Sequence, residues 1–311
     1  MRLVFMGTPD FAIPSLEALI RAGHKLVLVV TQPDRPKGRG GKLTPPPVKE
    51  WALRHGFPCL QPTRLKDPAF LATLREAKPE AIVVVAYGKI LPPEVLNLSP
   101  RGCINLHASL LPKYRGAAPI QHALIAGERE TGVTTMLMDE GMDTGDILLQ
   151  ESLVVGEEEN FGSLHDRLAQ LGAELLCRTL SLWEEGKIKP QPQDHSQATY
   201  APPLRSEDEI IRWEEPAEKI KNLVRALDPV PGARTFWQGK VLKIWRARAL
   251  TGPFGGVPGE VLALDPEGIV VRAGRGALLV LELQLAGGKR LKASEFLRGH
   301  PNLQPGTVLG S

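Results

Sequence analysis

An α/β N-terminal domain on an open, mostly parallel sheet, followed by a smaller C-terminal β-barrel, is the architecture the sequence predicts. Three observations carry this expectation. Over the first 155 residues short apolar runs alternate with amphipathic stretches, as strands buried on both faces alternate with helices. At 186–204 the composition turns polar and proline-bearing. Beyond it, short strand-like runs follow one another between glycines. A chain of 311 residues is also long for one ordinary core and suits two domains.

The elements follow in order. Residues 2–7 read as a strand and 11–22 as a helix, with Asp10 a plausible N-cap and Gly23 a stop. A Val/Leu-rich strand at 25–31 leads into a Pro/Gly/basic loop over 32–47 and a helix at about 48–55. EAIVVVA at 80–86, GCINLH at 102–107 and GVTTMLM at 132–138 are further strands. Leu164, Leu168, Leu171, Leu175 and Leu176 recur at helical spacing, so 161–185 is a long amphipathic helix whose leucines are core. The stretch 186–204 is an extended linker. A short helix at 216–227 has proline in its first turn. Strands at 234–238, 241–247, 259–264, 268–272 and 278–284 are close enough together for a small barrel. Domain bounds are drawn at 1–188, with a linker at 189–206 and the second domain at 207–311.

Bulk composition excludes several classes. With 42% apolar and 23% charged residues, the chain has no apolar run approaching a membrane span. MRLVFMGTPDF lacks the apolar core and cleavage site of a secretory leader, so a cytoplasmic protein without membrane contact is expected. Cys59, Cys103 and Cys177 are odd in number and scattered, which argues against disulfides and against a metal site. Residues 1–204 carry 22 basic against 23 acidic side chains, and 205–311 carry 16 against 12. Arg35, Lys37, Arg39, Lys42 and Lys49 crowd into one loop segment with the single acid Asp34. That split fits a polyanionic partner such as RNA, though many proteins show one of this size.

The first turn, Gly7-Thr8-Pro9-Asp10-Phe11, occupies the place of a dinucleotide fingerprint in a Rossmann-like sheet. Pro9 stands where the second glycine is needed for close approach of a pyrophosphate, so neither NAD nor FAD is expected. The informative segments are INLHASLLPKYR at 104–115 and DEGMDTGD at 139–146. Asn105 and His107 are two apart on a strand and share a face. Asp143 lies in a glycine-punctuated loop after the following strand. Brought together, an amide, an imidazole and a carboxylate suit attack of an amine on a carbonyl: the first two stabilise an oxyanion and the third tunes the imidazole and moves protons. No nucleophilic Ser or Cys is required. Spacing alone leaves a second reading open, in which His107 is a hydrogen-bonded core residue and Asp143 a turn residue.

N-x-H-x-S-L-L-P, with the aspartate of D-T-G-D 38 residues after the asparagine, resembles the folate-dependent formyltransferase superfamily. GTPDFA, TQPDRPKGRGGKL, INLHASLLPKYRGAAPIQ and MDEGMDTGDIL are similar to the branch that acts on tRNA, and the likeness covers essentially the whole chain. The resemblance implies 10-formyltetrahydrofolate as donor and the amino group of methionyl initiator tRNA as acceptor. It implies that Asn105 and His107 hold the formyl oxygen while Asp143 keeps His107 charged. It implies a folate pocket of Ser109, Leu110, Leu111 and Pro112, completed by Tyr87, Gly88, Asp139, Glu140, Gly141 and Met142. Arg39 matches the position that reaches the acceptor stem beside an unpaired first base pair, cheaper to open than a paired one, with Arg35, Lys37 and Lys42 supplying phosphate contacts. The C-terminal barrel resembles an OB-like domain that holds tRNA by charge. Arg246, Arg248 and 289–292 are its candidates from charge alone. A monomer is expected.

The chain departs from that pattern in places. A linker usually reading A-P-K-I is Ala201-Pro202-Pro203-Leu204 here. Arg212 precedes Trp213 where an acid is usual, and Val230 replaces a frequent tryptophan. The lost lysine puts in doubt a charge contact from the linker, not the Asn105, His107 and Asp143 set. A relative formylating a small amine, such as a nucleotide sugar or glycinamide ribonucleotide, is the alternative, which the basic loop disfavours. A noncatalytic RNA-binding protein on the same scaffold is the third reading.

Overall fold

The computed structural model describes residues 1–37 and 41–310, without the side chain of Lys37. The chain divides into two compact units: residues 1–119, 130–154 and 165–202 form one, and residues 120–129, 155–164 and 203–310 group in the other.

The first unit is built on a seven-stranded sheet. Its strands are β1 (Arg2–Gly7), β2 (Lys25–Val30), β5 (Cys59–Leu60), β6 (Ala81–Val85), β7 (Cys103–His107), β8 (Glu130–Leu137) and β9 (Ile147–Val154), in the order β5-β2-β1-β6-β7-β8-β9. The first five pair in parallel, while β8 is antiparallel to β7 and β9 to β8. The expectation of a mostly parallel α/β sheet therefore holds, with an antiparallel edge that periodicity does not reveal. Chain order reverses between β1 and β6, and such a switch opens a crevice at the carboxyl ends of the strands. Thr8 Oγ1 donates to the Tyr87 carbonyl across it at 3.0 Å.

The helices follow the predicted rhythm, with local differences. The stretch after β1 starts as a 3₁₀ turn, Asp10–Ala12, before α1 (Ile13–Arg21), because Pro14 cannot donate to an earlier carbonyl; the Asp10 carboxylate accepts from the adjacent Phe11 N–H and its backbone carbonyl from the Ile13 N–H. Gly23 ends the helix at φ +82°. Within the expected 32–47 loop lies a hairpin, β3 (Arg35–Lys37) against β4 (Lys42–Thr44), pairing Arg35 with Thr44 and Lys37 with Lys42. Next come α2 (Pro47–Arg54) and α3 (Pro68–Glu76). The second of these is capped by Asp67, which accepts from the Ala69 and Phe70 amides. Short helices α4 (Pro93–Leu96) and α5 (Pro119–Ala126) flank the β7 region. The long helix α6 (Phe161–Glu184) crosses β7 where Gly172 lies against Leu106; a Cβ there would sit 2.6 Å from a Leu106 methyl. Thr179 on α6 shares a 2.8 Å hydrogen bond with Thr135 on β8.

The second unit is antiparallel. Strands β10 (Ala233–Trp237), β11 (Lys240–Leu250), β12 (Val261–Leu264), β13 (Ile269–Arg272) and β14 (Ala277–Leu285) run in the order β10-β11-β14-β13-β12. β15 (Leu291–Lys292) adds to β14. α7 (Ala217–Ala226), with Pro216 at its N-cap, and α8 (Ala293–Gly299) complete it. Ile220, Val224, Ile244, Val261, Val280 and Phe296 are among its core residues. No helix among the described residues is long and apolar enough to cross a membrane.

Candidate active site

β7 positions the first two groups. Cys103, Asn105 and His107 share one face of the strand, and Cys103 belongs to an apolar cluster with Val4, Met6, Ile82 and Val84. Moving along the strand, that face changes from a buried thiol to an amide and then an imidazole, so the polar groups begin where the apolar packing ends. Burial pushes the Cys103 thiol up to about 12, which leaves it a neutral core group.

Asn105 is 8% exposed, and among the described residues its side-chain amide has no hydrogen-bond partner. Its amide atoms are not among the fully enclosed polar atoms left without a partner, so the group opens to solvent on the face of His107, with its donors and acceptor available to a ligand. His107 is 7% exposed, with Nε2 2.9 Å from the Tyr114 carbonyl oxygen. A carbonyl only accepts, so Nε2 carries a proton and Nδ1 is the nitrogen free to exchange one. Nδ1 faces Asp143 Oδ2 at 3.7 Å, an ion-pair distance rather than a hydrogen bond. Asp143 Oδ2 accepts from the Gly116 N–H at 2.8 Å.

Asp143 reaches this place by a longer route than its sequence position suggests. Since β8 runs antiparallel to β7, Leu137 lies opposite Ile104 and Thr134 opposite His107. The loop after β8 therefore leaves the sheet three residues, about 10 Å, short of His107 and must fold back. Asp139 Oδ1 braces the start of the loop by accepting from the Gly141 N–H (3.0 Å) and from Thr144 Oγ1 (2.7 Å). Gly145 lies so close to the Leu137 carbonyl that a Cβ would approach its oxygen to 1.9 Å. Asp143 itself adopts φ +54°. Ala86 (φ +48°) and Tyr114 (φ +58°), in the turns after β6 and β7, share this left-handed conformation. For non-glycine residues it costs of order 1–3 kcal/mol each and gathers at functional sites.

The other expected residues divide into open and enclosed. Asp139, Glu140, Gly141 and Met142 are exposed on the loop. Gly88 takes φ +81° at the turn after β6, but the ring of Tyr87 is 1% exposed in the β6 core. Its hydroxyl is buried without a partner among the described residues and pushed up to about 12 by burial. Ser109 is fully buried, and its hydroxyl donates to the Lys113 carbonyl at 2.6 Å, closing the Leu-Leu-Pro turn. Leu111 is buried, with its N–H on Thr134 Oγ1 and its carbonyl accepting from Gln150. Leu110 packs over Gly132, and Leu110 and Pro112 are half-buried. Arg35 and Lys42 are exposed on the hairpin, whereas Arg39 lies outside the described residues.

Other groups at this edge stand outside the expected site residues, although Gln32 and Asp34 lie within TQPDRPKGRGGKL. Gln32 donates to the Tyr87 carbonyl at 3.1 Å. Gln61 donates to the Gln32 carbonyl at 2.8 Å and to Asp34 at 2.7 Å. Lys49 pairs with Asp34 at 2.8 Å, and that contact, followed by the Gln61 bond, holds the Asp34 carboxyl below the usual carboxylate range. This network ties the root of the hairpin to the turn after β6. Backbone hydrogen bonds also join the expected linker to the site segment: Arg115 N–H to the Thr199 carbonyl, Ala201 N–H to the Arg115 carbonyl, and Ala118 N–H to the Ala201 carbonyl. Among the described residues no group of three or more His, Cys, Asp or Glu is arranged to hold a metal ion.

Comparison with known proteins places this geometry in context. Residues 1–180 match the "Formyl transferase" family model, and residues 203–301 match "Formyl transferase, C-terminal domain". A methionyl-tRNA formyltransferase of Pelotomaculum thermopropionicum is 55% identical over 311 residues, covering 100% of this chain and 99% of its own. One from Moorella thermoacetica is 56% identical with the same coverage. Among solved structures, HypX from Aquifex aeolicus in complex with tetrahydrofolic acid superimposes with a TM-score of 0.65 at 21% identity. That match covers 96% of this chain and 47% of HypX, a likeness of fold.

Proposed function

Because this chain belongs to the formyl transferase family and, at 55% and 56% identity over full length, to its methionyl-tRNA formyltransferases, we propose that it forms N-formylmethionyl-tRNA for translation initiation. It transfers the formyl group of 10-formyltetrahydrofolate directly to the amino group of methionyl initiator tRNA. The observation in the molecule that supports this chemistry best is the Asn105 amide, without a partner among the described residues, on one strand face with a histidine whose Nδ1 looks toward a carboxylate.

In the reaction the amine nitrogen bonds to the formyl carbon, and the bond from that carbon to the folate nitrogen breaks. Negative charge rises on the formyl oxygen, and the Asn105 N–H and a protonated His107 Nδ1 stabilise it. A preorganised donor of this kind contributes about 10²–10³ in rate. The Asp143 carboxylate, facing Nδ1 at 3.7 Å, helps carry the proton lost by the amine to the departing folate nitrogen. Transfer without an acyl-enzyme is supported by the state of the nearby nucleophiles: the Ser109 hydroxyl is committed to Lys113 and the Cys103 thiol is neutral.

The folate is read as seated on Ser109–Pro112 and the loop residues Asp139, Glu140, Gly141 and Met142. Tyr87 and Gly88 contribute through backbone, since the Tyr87 ring is enclosed. Arg35, Lys37, Arg39 and Lys42 are read as tRNA contacts. Residues 1–188 would be the catalytic domain, 189–206 the linker and 207–311 the tRNA-holding domain of a cytoplasmic monomer. We expect His107→Ala and Asp143→Asn to fold normally and to lose about 10²–10⁴ in kcat. Near-normal turnover of either folded variant contradicts the assigned roles.

A further inference from the structure

We propose that Gln193 is a positioning residue for formyl transfer: its side-chain amide, oriented by the buried guanidinium of Arg115, holds the Asp143 loop folded back so that the carboxylate faces His107. The inference rests on the reading of Asp143 and His107 given above.

Gln193 lies in the stretch that composition marks as a linker. Two residues earlier, Gln191 exchanges both backbone hydrogen bonds with Ile147 at the start of β9, which brings the segment alongside the end of the loop. Gln193 is 6% exposed and uses both halves of its amide. Nε2 donates to the Asp143 carbonyl at 2.9 Å and to the Gly145 carbonyl at 2.7 Å. Oε1 accepts from Arg115 Nε at 3.1 Å and from Arg115 Nη2 at 2.6 Å. One side chain thus pins the residue that carries the carboxylate and the glycine where the loop rejoins the sheet.

Arg115 sets which way the amide points. It is 2% exposed, and no carboxylate pairs with it among the described residues; its side-chain partners are Gln193 and the Nδ1 of His195 at 3.1 Å. A guanidinium only donates, so it takes the amide oxygen and leaves the NH₂ toward the loop. Arg115 also sits between the two backbone groups that meet the reacting side chains, the Tyr114 carbonyl on His107 and the Gly116 N–H on Asp143. The turn after β7 and the loop after β8 are therefore joined through one amide. Such a group is a buried, fully used hydrogen-bond hub, and its loss displaces what it holds.

Gln193→Glu separates the two faces of this hub. The carboxylate still accepts from Arg115, but it turns an oxygen toward the Asp143 and Gly145 carbonyls in place of a donor. We expect kcat to fall about 10- to 100-fold, the scale of an ångström-sized misplacement. KM for the tRNA should stay near wild type, whereas the folate, seated in part on residues 139–142 of the same loop, should bind less tightly and the melting temperature should fall modestly. A role confined to docking the linker would leave kcat of the folded variant unchanged, and that result overturns the inference. Should Gln193→Glu not fold, Gln193→Met removes the amide without adding charge, and the same split of kcat against KM for the tRNA decides. Asp143→Asn is assayed alongside. If it is slow while the Gln193 variants match wild type, the positioning inference alone falls. If Asp143→Asn itself turns over normally, the reading of the site has failed and this inference with it.

Discussion

Along the reacting face of β7, Cys103 is sealed in the core, Asn105 is buried but unused, and His107 has one nitrogen committed and one free. The spacing of Asn105 and His107 is legible in the sequence because strand geometry puts alternate residues on one face. The commitment of His107 Nε2 to the Tyr114 carbonyl is not legible, because it depends on a turn in which Tyr114 takes φ +58°. Gln193 is equally hidden: a glutamine between Pro192 and Asp194 in a polar stretch has no periodicity, and its value comes only from the two segments it bridges. Tyr87 is named by the resemblance alone, and its ring is core. At this scale Asn105→Ala gives a direct test. Its amide is bonded to no described protein group, so its removal should leave thermal stability nearly unchanged while kcat drops about 10²–10³, the worth of one oxyanion donor. A variant that melts much earlier and keeps its kcat would make Asn105 a structural residue.

Two elements deliver the rest of the site, and each differs from its sequence reading for a physical reason. The antiparallel run of β8 forces the following loop back over the sheet, and no residue pattern announces strand direction. Alternation of apolar and polar residues locates a strand but is the same read in either direction. The basic loop contains a hairpin whose root is fastened by Asp34 to Lys49 and Gln61. Because the folded Asp34 carboxyl lies below its unfolded value, its contribution is complete above that unfolded value, near about pH 4, and is lost as pH falls through the lower folded one. Protection of amides across 32–44, corrected for the intrinsic exchange rate, should therefore be steady from neutrality to about pH 4 and weaker below it, whereas Lys49→Met should be less protected at neutral pH. Equal exchange in the two proteins would remove this ion pair from the account. Arg39→Leu, in the same stretch of sequence, should lower the rate on initiator tRNA far more than it alters folate affinity; equal rates would take Arg39 out of recognition.

Across the whole molecule, the alternation of runs makes the parallel-rich α/β sheet readable, and the glycine-separated strands beyond the polar stretch at 186–204 make an all-β second unit readable, which the structure shows as an antiparallel sheet. Less readable was how the chain distributes itself, since residues 120–129 and 155–164 leave the first unit to group with the C-terminal one. Charge counting also misleads at this scale. Arg246 pairs with Glu158, Arg248 with Glu267, and Arg290 with Asp228 and Glu282, so these cations are partly neutralised within their own unit. Affinity for a polyanion then depends on the cations left unpaired rather than on the net excess. The central claim is the identity of the acceptor, and formyl transfer from 10-formyltetrahydrofolate to methionyl initiator tRNA, with methionyl elongator tRNA as control, tests it most directly. Fast transfer to the initiator alone is the predicted result; no transfer to either tRNA by a folded protein that binds folate would contradict it and point to a small amine.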